Sequence, residues 1–278
     1  MLGIRPPLII ASGPGGYGEY LNLINSKCLG AYTLKTVTYK PRSLTEAPRM
    51  AFGSFYLINH IGLENPGVDK FLESLRLGRY DGIFKRTKVI LSLGGDDLKE
   101  YLKITEKVKP HVDRFVAVEY NFSCPNVTKG GFLLTAKADD WARLLGRIRE
   151  LLPKTFLLAK LGIEGILIER AAGYVNEAGW EGVTLVNTVR GLHMNPDGRI
   201  LLGGLSGPIL KPISLRAVYE VRKRYQNLYI VAAGGVYSAS DAREFIAVGA
   251  NAISVGSALF KDPNVIEEIG KELGGVVK

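Results

Sequence analysis

Eight short apolar or β-branched runs recur along the 278 residues, at 8–11, 31–35, 89–93, 115–120, 156–160, 182–186, 229–233 and 252–255. Between them lie stretches with helical spacing, among them 97–108, 138–152, 166–178, 214–225, 240–248 and 263–273. Strands alternating with helices must pair in parallel through right-handed crossovers. Eight such units in a chain of this length predict a closed (β/α)8 TIM barrel rather than an open doubly wound sheet. The second and third runs stand further apart than one helix requires. Residues 36–86 are therefore expected to hold a small hairpin or loop structure over the barrel mouth. With no break in composition and no Pro/Ser-rich linker, residues 1–278 read as one domain.

Composition narrows the class further. Hydrophobic residues at 46% and charged residues at 23% fit an ordered globular enzyme and not a disordered chain. The first apolar stretch is too short for a secretory signal, and no segment approaches the roughly 20 apolar residues of a membrane span. A cytoplasmic protein is expected. The net charge of +9 suits an anionic ligand and suits nucleic acid as well. Its basic residues are scattered along helical stretches such as TEKVKP and VRKRYQ, where a solvated face is the default.

A barrel places its chemistry at the carboxyl ends of its strands. The distinctive residues of this chain fall there. Asn121-Phe122-Ser123-Cys124-Pro125-Asn126 puts a thiol and two amides on a proline-stiffened turn after the fourth run. Lys35 ends the second run and Lys160 the fifth, and an unpaired ammonium buried at either place is costly without a function. Asn187 and Thr188 follow the sixth run, Gly234-Gly235 the seventh, and Gly256-Ser257 the eighth. Glycine turns at two adjacent barrel positions expose backbone N–H groups suited to phosphate. LLGGLSGPILKP, after the sixth run, reads as a third glycine-rich loop on the same rim. A ligand reaching across half the barrel is implied, such as a flavin mononucleotide. The two cysteines, Cys28 and Cys124, are too few for a disulfide scaffold or a self-contained zinc site, and no metal is expected. Cys28 reads as a packing residue.

The same residues resemble the dihydroorotate dehydrogenase family, of the soluble class 1 type, from Leu8 to Phe260. ASGP, TLKTVT, NHIGLENPG, NFSCPN, AKLG, VNT, GGLSGPILKPISLR and AAGGV match that family in order. The resemblance implies oxidation of dihydroorotate to orotate in pyrimidine biosynthesis, with FMN in the barrel mouth and the substrate against its ring. It makes Cys124 the base. Lys35, Asn59, Asn121, Asn126, Asn187 and Thr188 become substrate contacts, and the backbone of Ile61, Gly62 and Leu63 a candidate for the carboxylate. FMN contacts would come from Ala11, Ser12 and Gly13, from Lys35 and Thr36, from Asn121, Lys160 and Val186, and from Gly207, Gly234, Gly235, Gly256 and Ser257. These residue types suit the reaction. A thiolate can take a carbon-bound proton, asparagine offers both donor and acceptor to an imide, and a lysine at the flavin stabilises the charge of the reduced ring.

The segment KPRSLTEAPRM departs from the Gly-Asn pair usual before Pro-Arg in relatives, although Arg49 keeps its distance from Asn59. His60 reads as packing. Cys124 and the lack of an N-terminal extension argue against the quinone-linked membrane class, and NVTKGG and NHIGLENPG resemble the NAD-linked subtype. That subtype implies a homodimer and a separate iron–sulfur/FAD electron-transfer subunit, since this chain carries neither an iron–sulfur cysteine cluster nor a second dinucleotide fingerprint. Two alternatives stay open from the sequence. One is a tRNA dihydrouridine synthase, although Ser123 stands where that family usually has glycine and no helical RNA-binding domain follows. The other is a barrel that binds a phosphorylated ligand without redox chemistry.

Overall fold

A computed structural model describes residues 2–123 and 138–274. Cys124 and Asn126 lie outside the described residues. The eight expected strands are β1 (Leu8–Ile10), β2 (Ala31–Thr33), β6 (Lys88–Gly94), β7 (Ala117–Asn121), β8 (Leu157–Leu161), β9 (Gly182–Leu185), β12 (Tyr229–Ala233) and β13 (Ala252–Val255). Each pairs in parallel with its neighbours in that order. Pairing of β2 with β6 and of β1 with β13 closes the ring. The fold is a (β/α)8 barrel. A two-residue strand, β3 (Val37–Thr38), prolongs the line of β2 beside the end of β6.

The outer helices are α1 (Gly67–Arg76), the short α2 (Asp81–Phe84), α3 (Leu98–Val108), α4 (Ala138–Leu151), α5 (Ile168–Glu177), α6 (Lys211–Arg224), α7 (Ala239–Ala247) and α8 (Val265–Glu272). Local chemistry starts two of them. The Asp97 carboxylate accepts from the N–H of Glu100 at 2.9 Å and caps α3. Ser238 accepts from Asp241 N at 3.2 Å at the start of α7, while Asp241 accepts from Tyr237 N at 2.9 Å. That reciprocal pairing resembles a capping box and pins α7 directly after the Gly234-Gly235 turn.

The strand residues sort into two sets. Ile9, Ala31, Ile90, Ala117, Leu158, Val231 and Ala252 cluster with Leu2 and Ile4 from the segment before β1. Their immediate neighbours, such as Val89, Leu91, Val118 and Leu157, join the larger cluster that holds the helix residues. Alternation along a strand thus directs the first set into the barrel and the second toward the helices. Two residues further on, the inward positions turn polar: Thr33, Ser92, Glu119, Lys160, Thr184 and Ser254 are all buried. The barrel has an apolar floor and a polar upper interior.

The long insertion after β2 contains the expected hairpin, formed by β4 (Met50–Phe52) and β5 (Leu57–Asn59). It also supplies α1 and α2. The glycine-rich segment after β9 differs from expectation: it is a second hairpin, β10 (Val189–Met194) and β11 (Ile200–Ser206), joined at Gly207 to a 3-10 turn, Pro208–Leu210, that leads into α6. Strand β11 pairs antiparallel with β5, so a four-stranded sheet stands on the rim, built from two segments far apart in the chain. Glycine at 203 serves this pairing. A Cβ on Gly203 would meet the backbone of Asn59.

Candidate active site

At the carboxyl ends of the strands the rim sheet and the barrel enclose a cavity of about 560 Å³. That lies within the roughly 300–1,000 Å³ typical of small-molecule sites. Its wall takes Ala11, Ser12 and Gly13 from the end of β1, and Lys35 and Thr36 from the link between β2 and β3. Asn121 and Lys160 come from the ends of β7 and β8, and Val186, Asn187 and Thr188 follow β9. Gly234 and Gly235 follow β12, Gly256 and Ser257 follow β13, and Asn59, Ile61 and Leu63 descend from the rim sheet. Gly62 and Gly207 are not among the lining residues. Arg49, in the segment that departs from the family pattern, also lines the cavity, where its Nε donates to Thr45 O at 2.7 Å.

Three polar groupings define the interior of this cavity. The first is an amide cluster. Asn187 Nδ2 donates to Asn121 Oδ1 at 2.9 Å and lies 3.4 Å from Ser123 Oγ, which in turn donates to Lys160 O at 3.2 Å. Beneath it, Tyr101 OH donates to Asn121 O at 2.7 Å, so α3 fixes the end of β7 just before the cysteine turn. The second is a hydroxyl chain, Ser12 to Thr36 at 3.0 Å and Thr36 to Ser92 at 2.9 Å. The third is cationic. Lys35 Nζ pairs with Glu64 Oε2 at 2.9 Å on the half-buried rim, whereas Lys160 is 7% exposed and its ammonium has no hydrogen bond or ion pair among the described residues.

The glycines at the far side are shaped for close approach. Gly234 and Gly235 have φ of +92° and +89°. A Cβ on Gly234 would stand 2.6 Å from Ser214 Oγ, and one on Gly235 would stand 2.6 Å from Lys211 Cα and against its backbone nitrogen. The turn is therefore pressed onto α6 where it lines the cavity. Tyr237 OH and Ser257 Oγ, 2.9 Å apart, tie this turn to the one after β13. Beside them Lys211 holds Asp241 at 2.6 Å. Against the upward pull of burial, that ammonium and the N–H of Tyr237 keep the Asp241 carboxyl below its ordinary range.

Sequence reading passed over several residues that shape the site. Asn65 is buried, accepts from Thr38 N at 3.1 Å and Gly67 N at 2.9 Å, and donates to Thr38 Oγ1 and Leu63 O. It thereby holds the turn on which Leu63, at φ +56°, meets the cavity. Its signal was the Asn-Pro-Gly run itself, a turn signature with a side chain able to bind its own backbone. Glu64 partners Lys35, and Glu119 lies buried below the cavity. Cys28 is fully buried beside α8, and burial holds its thiol above the ordinary range.

The fold and the cavity define a (β/α)8 barrel with its ligand site at the carboxyl ends of the strands, the position used by barrel enzymes. The chain belongs to the dihydroorotate dehydrogenase family, whose pattern it matches over residues 2–277. It is 54% identical over 273 residues, 98% of each chain, to the catalytic subunit of dihydroorotate dehydrogenase B (NAD(+)) from Thermotoga petrophila. The corresponding subunit from Geobacillus kaustophilus is 36% identical over 98% of this chain and 87% of its own. Among solved structures, DHODH of Eimeria tenella in complex with ferulenol superposes with a TM-score of 0.79, at 22% identity, over 96% of this chain and 80% of that one, a likeness of fold. Family membership removes the tRNA dihydrouridine synthase reading and the non-redox reading.

Proposed function

We propose that this chain is the FMN-binding catalytic subunit of an NAD-linked dihydroorotate dehydrogenase, with Cys124 as its base. As a member of its family it is an oxidoreductase that oxidises dihydroorotate in pyrimidine biosynthesis. The observation that carries the finer reading is the buried residue Lys160, whose ammonium has no partner among the described residues, on the strand beside Asn121 of the Asn121–Asn187 amide pair, on a cavity whose other side is a cradle of left-handed glycines. These residues fit FMN. The glycine turns after β12 and β13 offer bare N–H groups to a phosphate, and Lys160 offers a cation to the ring.

When bound, FMN supplies the acceptor for a hydride from C6 of the substrate, at its N5. The chain does the rest. Cys124 takes the C5 proton; it follows β7 in the sequence, and the carbonyl of Asn121 at the end of that strand is held by Tyr101. Asn59, Asn121, Asn126 and Asn187 present amide donors and acceptors to the edge of the pyrimidine ring, with Thr188 beside them. Lys35 and the backbone of Ile61, Gly62 and Leu63 receive the carboxylate. The rim sheet covers the site and limits water.

The test is direct. The purified protein is expected to be yellow, to release FMN on denaturation, and to bleach when mixed anaerobically with dihydroorotate. A colourless protein, or a flavin that keeps its colour with that substrate, would refute the reading.

Electrons must then leave the chain, and a second subunit with its own redox centres is the route this reading assigns, alongside pairing with a second copy. One feature supports a protein partner. Register places Leu192 opposite Leu202 and Met194 opposite Ile200, on one face of the rim sheet, and all four are at least half exposed. By the same alternation that face continues, through Gly204, to Asn59 and Met50 at the cavity. An exposed apolar strip joined to a cavity wall is characteristic of an interaction surface. Leu202→Glu together with Met194→Glu is expected to shift the purified assembly to smaller species in analytical ultracentrifugation, while FMN content is retained; an unchanged sedimentation profile would show that the strip is not an interface.

A further inference from the structure

Glu119 is a buried charge to which the reaction gives no task. Among the described residues, Glu119 and Lys160 are the two charged side chains less than a tenth exposed, at 4% and 7%. They have opposite sign and stand on adjacent strands, β7 and β8. Both face inward, because the residues flanking them, Val118 and Tyr120 on β7 and Ala159 and Leu161 on β8, belong to the outer cluster.

The hydrogen bond of Glu119 locates its carboxylate. Thr184 Oγ1 donates to Glu119 Oε2 at 2.7 Å, and Thr184 lies on β9, where it is the register partner of Lys160. The Glu119 side chain therefore reaches from β7 to β9, across two strand spacings of about 4.8 Å each. To do so it passes inside β8, between the levels of Leu158 and Lys160. Lys160 lines the cavity and Glu119 does not, so the carboxylate lies beneath the lysine, on the side away from the ligand. Its Oε1 has no hydrogen-bond partner among the described residues. Around it the inward side chains are Thr33, Ser92, Thr184 and Ser254, none of them a cation. A buried carboxylate with one hydroxyl donor is poorly compensated, and the Lys160 ammonium above it has no partner among the described residues. Among the described residues, each is the one buried group of opposite charge facing the barrel interior.

We propose that Glu119 is the internal counter-charge of Lys160, a positioning residue that holds the lysine in place at the bottom of the cavity. Field through a low-dielectric interior does not require contact, and the two groups are not in contact here. The functional half of the proposal rests on the FMN reading. If Glu119 is lost, the ammonium becomes an isolated charge at the bottom of the cavity, and its field on a reduced flavin ring is no longer offset.

A double-mutant cycle on the flavin-free chain tests the pairing without the cofactor. Glu119→Gln keeps the shape and an acceptor for Thr184, and Lys160→Met keeps the length of the lysine. Each alone is expected to lower Tm, and the double variant to recover most of the loss, because it leaves no lone charge. If the single variants do not fold, the double is expected to fold. Additive losses, or a double variant no more stable than Glu119→Gln, overturn the proposal. The second readout is the midpoint potential of bound FMN. In Glu119→Gln it is expected to rise, because the field of the ammonium on the flavin is no longer offset by the carboxylate. The remaining charged groups on the cavity wall, Lys35, Glu64 and Arg49, are common to both proteins. An unchanged potential would also overturn it. A chain that binds no FMN refutes the functional reading instead, and the stability cycle still decides whether the charges are paired.

Discussion

Cys124→Ala is expected to leave FMN bound and to slow flavin reduction by dihydroorotate roughly 10²–10⁴-fold, the usual worth of a positioned general base. That corresponds to about 2.7–5.4 kcal/mol on the barrier. The physical reason is that the described cavity wall offers no free base to replace the thiolate. Asn121 and Asn187 do not titrate, and the Glu64 carboxylate is held by Lys35 at 2.9 Å on the rim. The other cysteine, Cys28, is fully buried at the base of α8, with its thiol held above the ordinary range. The parent rate should rise with pH as the Cys124 thiol loses its proton, the ordinary thiol pKa being about 8.5. The alanine variant should lose that rise. Single-turnover reduction followed at the flavin absorbance separates the two, and a variant that is reduced at the parent rate shows that Cys124 is not the base.

The second large effect is expected from Gly235→Ala, in FMN retention rather than in the chemical step. Gly235 has φ +89°, where an L residue is strained, and its Cβ would meet the backbone of Lys211 at the start of α6. Backbone cannot turn aside as a flexible side chain can. Overpacking of this kind costs about 1–3 kcal/mol, which is roughly 5- to 150-fold if it falls on the FMN-bound form. Fluorimetric titration of the flavin-free protein with FMN measures it. Gly198→Ala is the matched control: φ is +82°, yet the added Cβ meets nothing within 4 Å and the residue sits at the tip of the β10–β11 hairpin, so FMN affinity should not change. Equal affinities for Gly235→Ala and the parent would remove the turn from the phosphate site.

The barrel was legible because parallel strands are buried on both faces and read as unbroken apolar runs. Thus 229–233 and 252–255 coincide with β12 and β13 to the residue. The rim sheet was not legible in the same way. Strand β10 alternates between half-buried and exposed positions, and β11 carries Gly203-Gly204 where a strand normally carries bulk, so composition pointed to a loop. A signal was present, since Asn195-Pro196-Asp197-Gly198 separates the two strands and Asp-Gly is a hairpin turn. Pairing of β11 with β5 had no local signature at all. For the site, residue types at strand ends located the cavity wall, but partners reached through space, such as Glu64 for Lys35, are invisible to spacing. Glu119 was hidden inside an apolar run, and only the register of β7, β8 and β9 shows what lies above it.

The rim sheet joins Asn59 to Gly204 across 145 positions of sequence. Such a pairing carries a loop-closure cost that local contacts do not, and it gains its partner only when the intervening barrel units have already brought the two hairpins together. The wall over the cavity is therefore among the last parts of the chain to assemble and, by the same route, among the first to loosen. A ligand seated beneath it binds the completed arrangement alone, and so acts as the clasp that holds two distant stretches of the chain to each other.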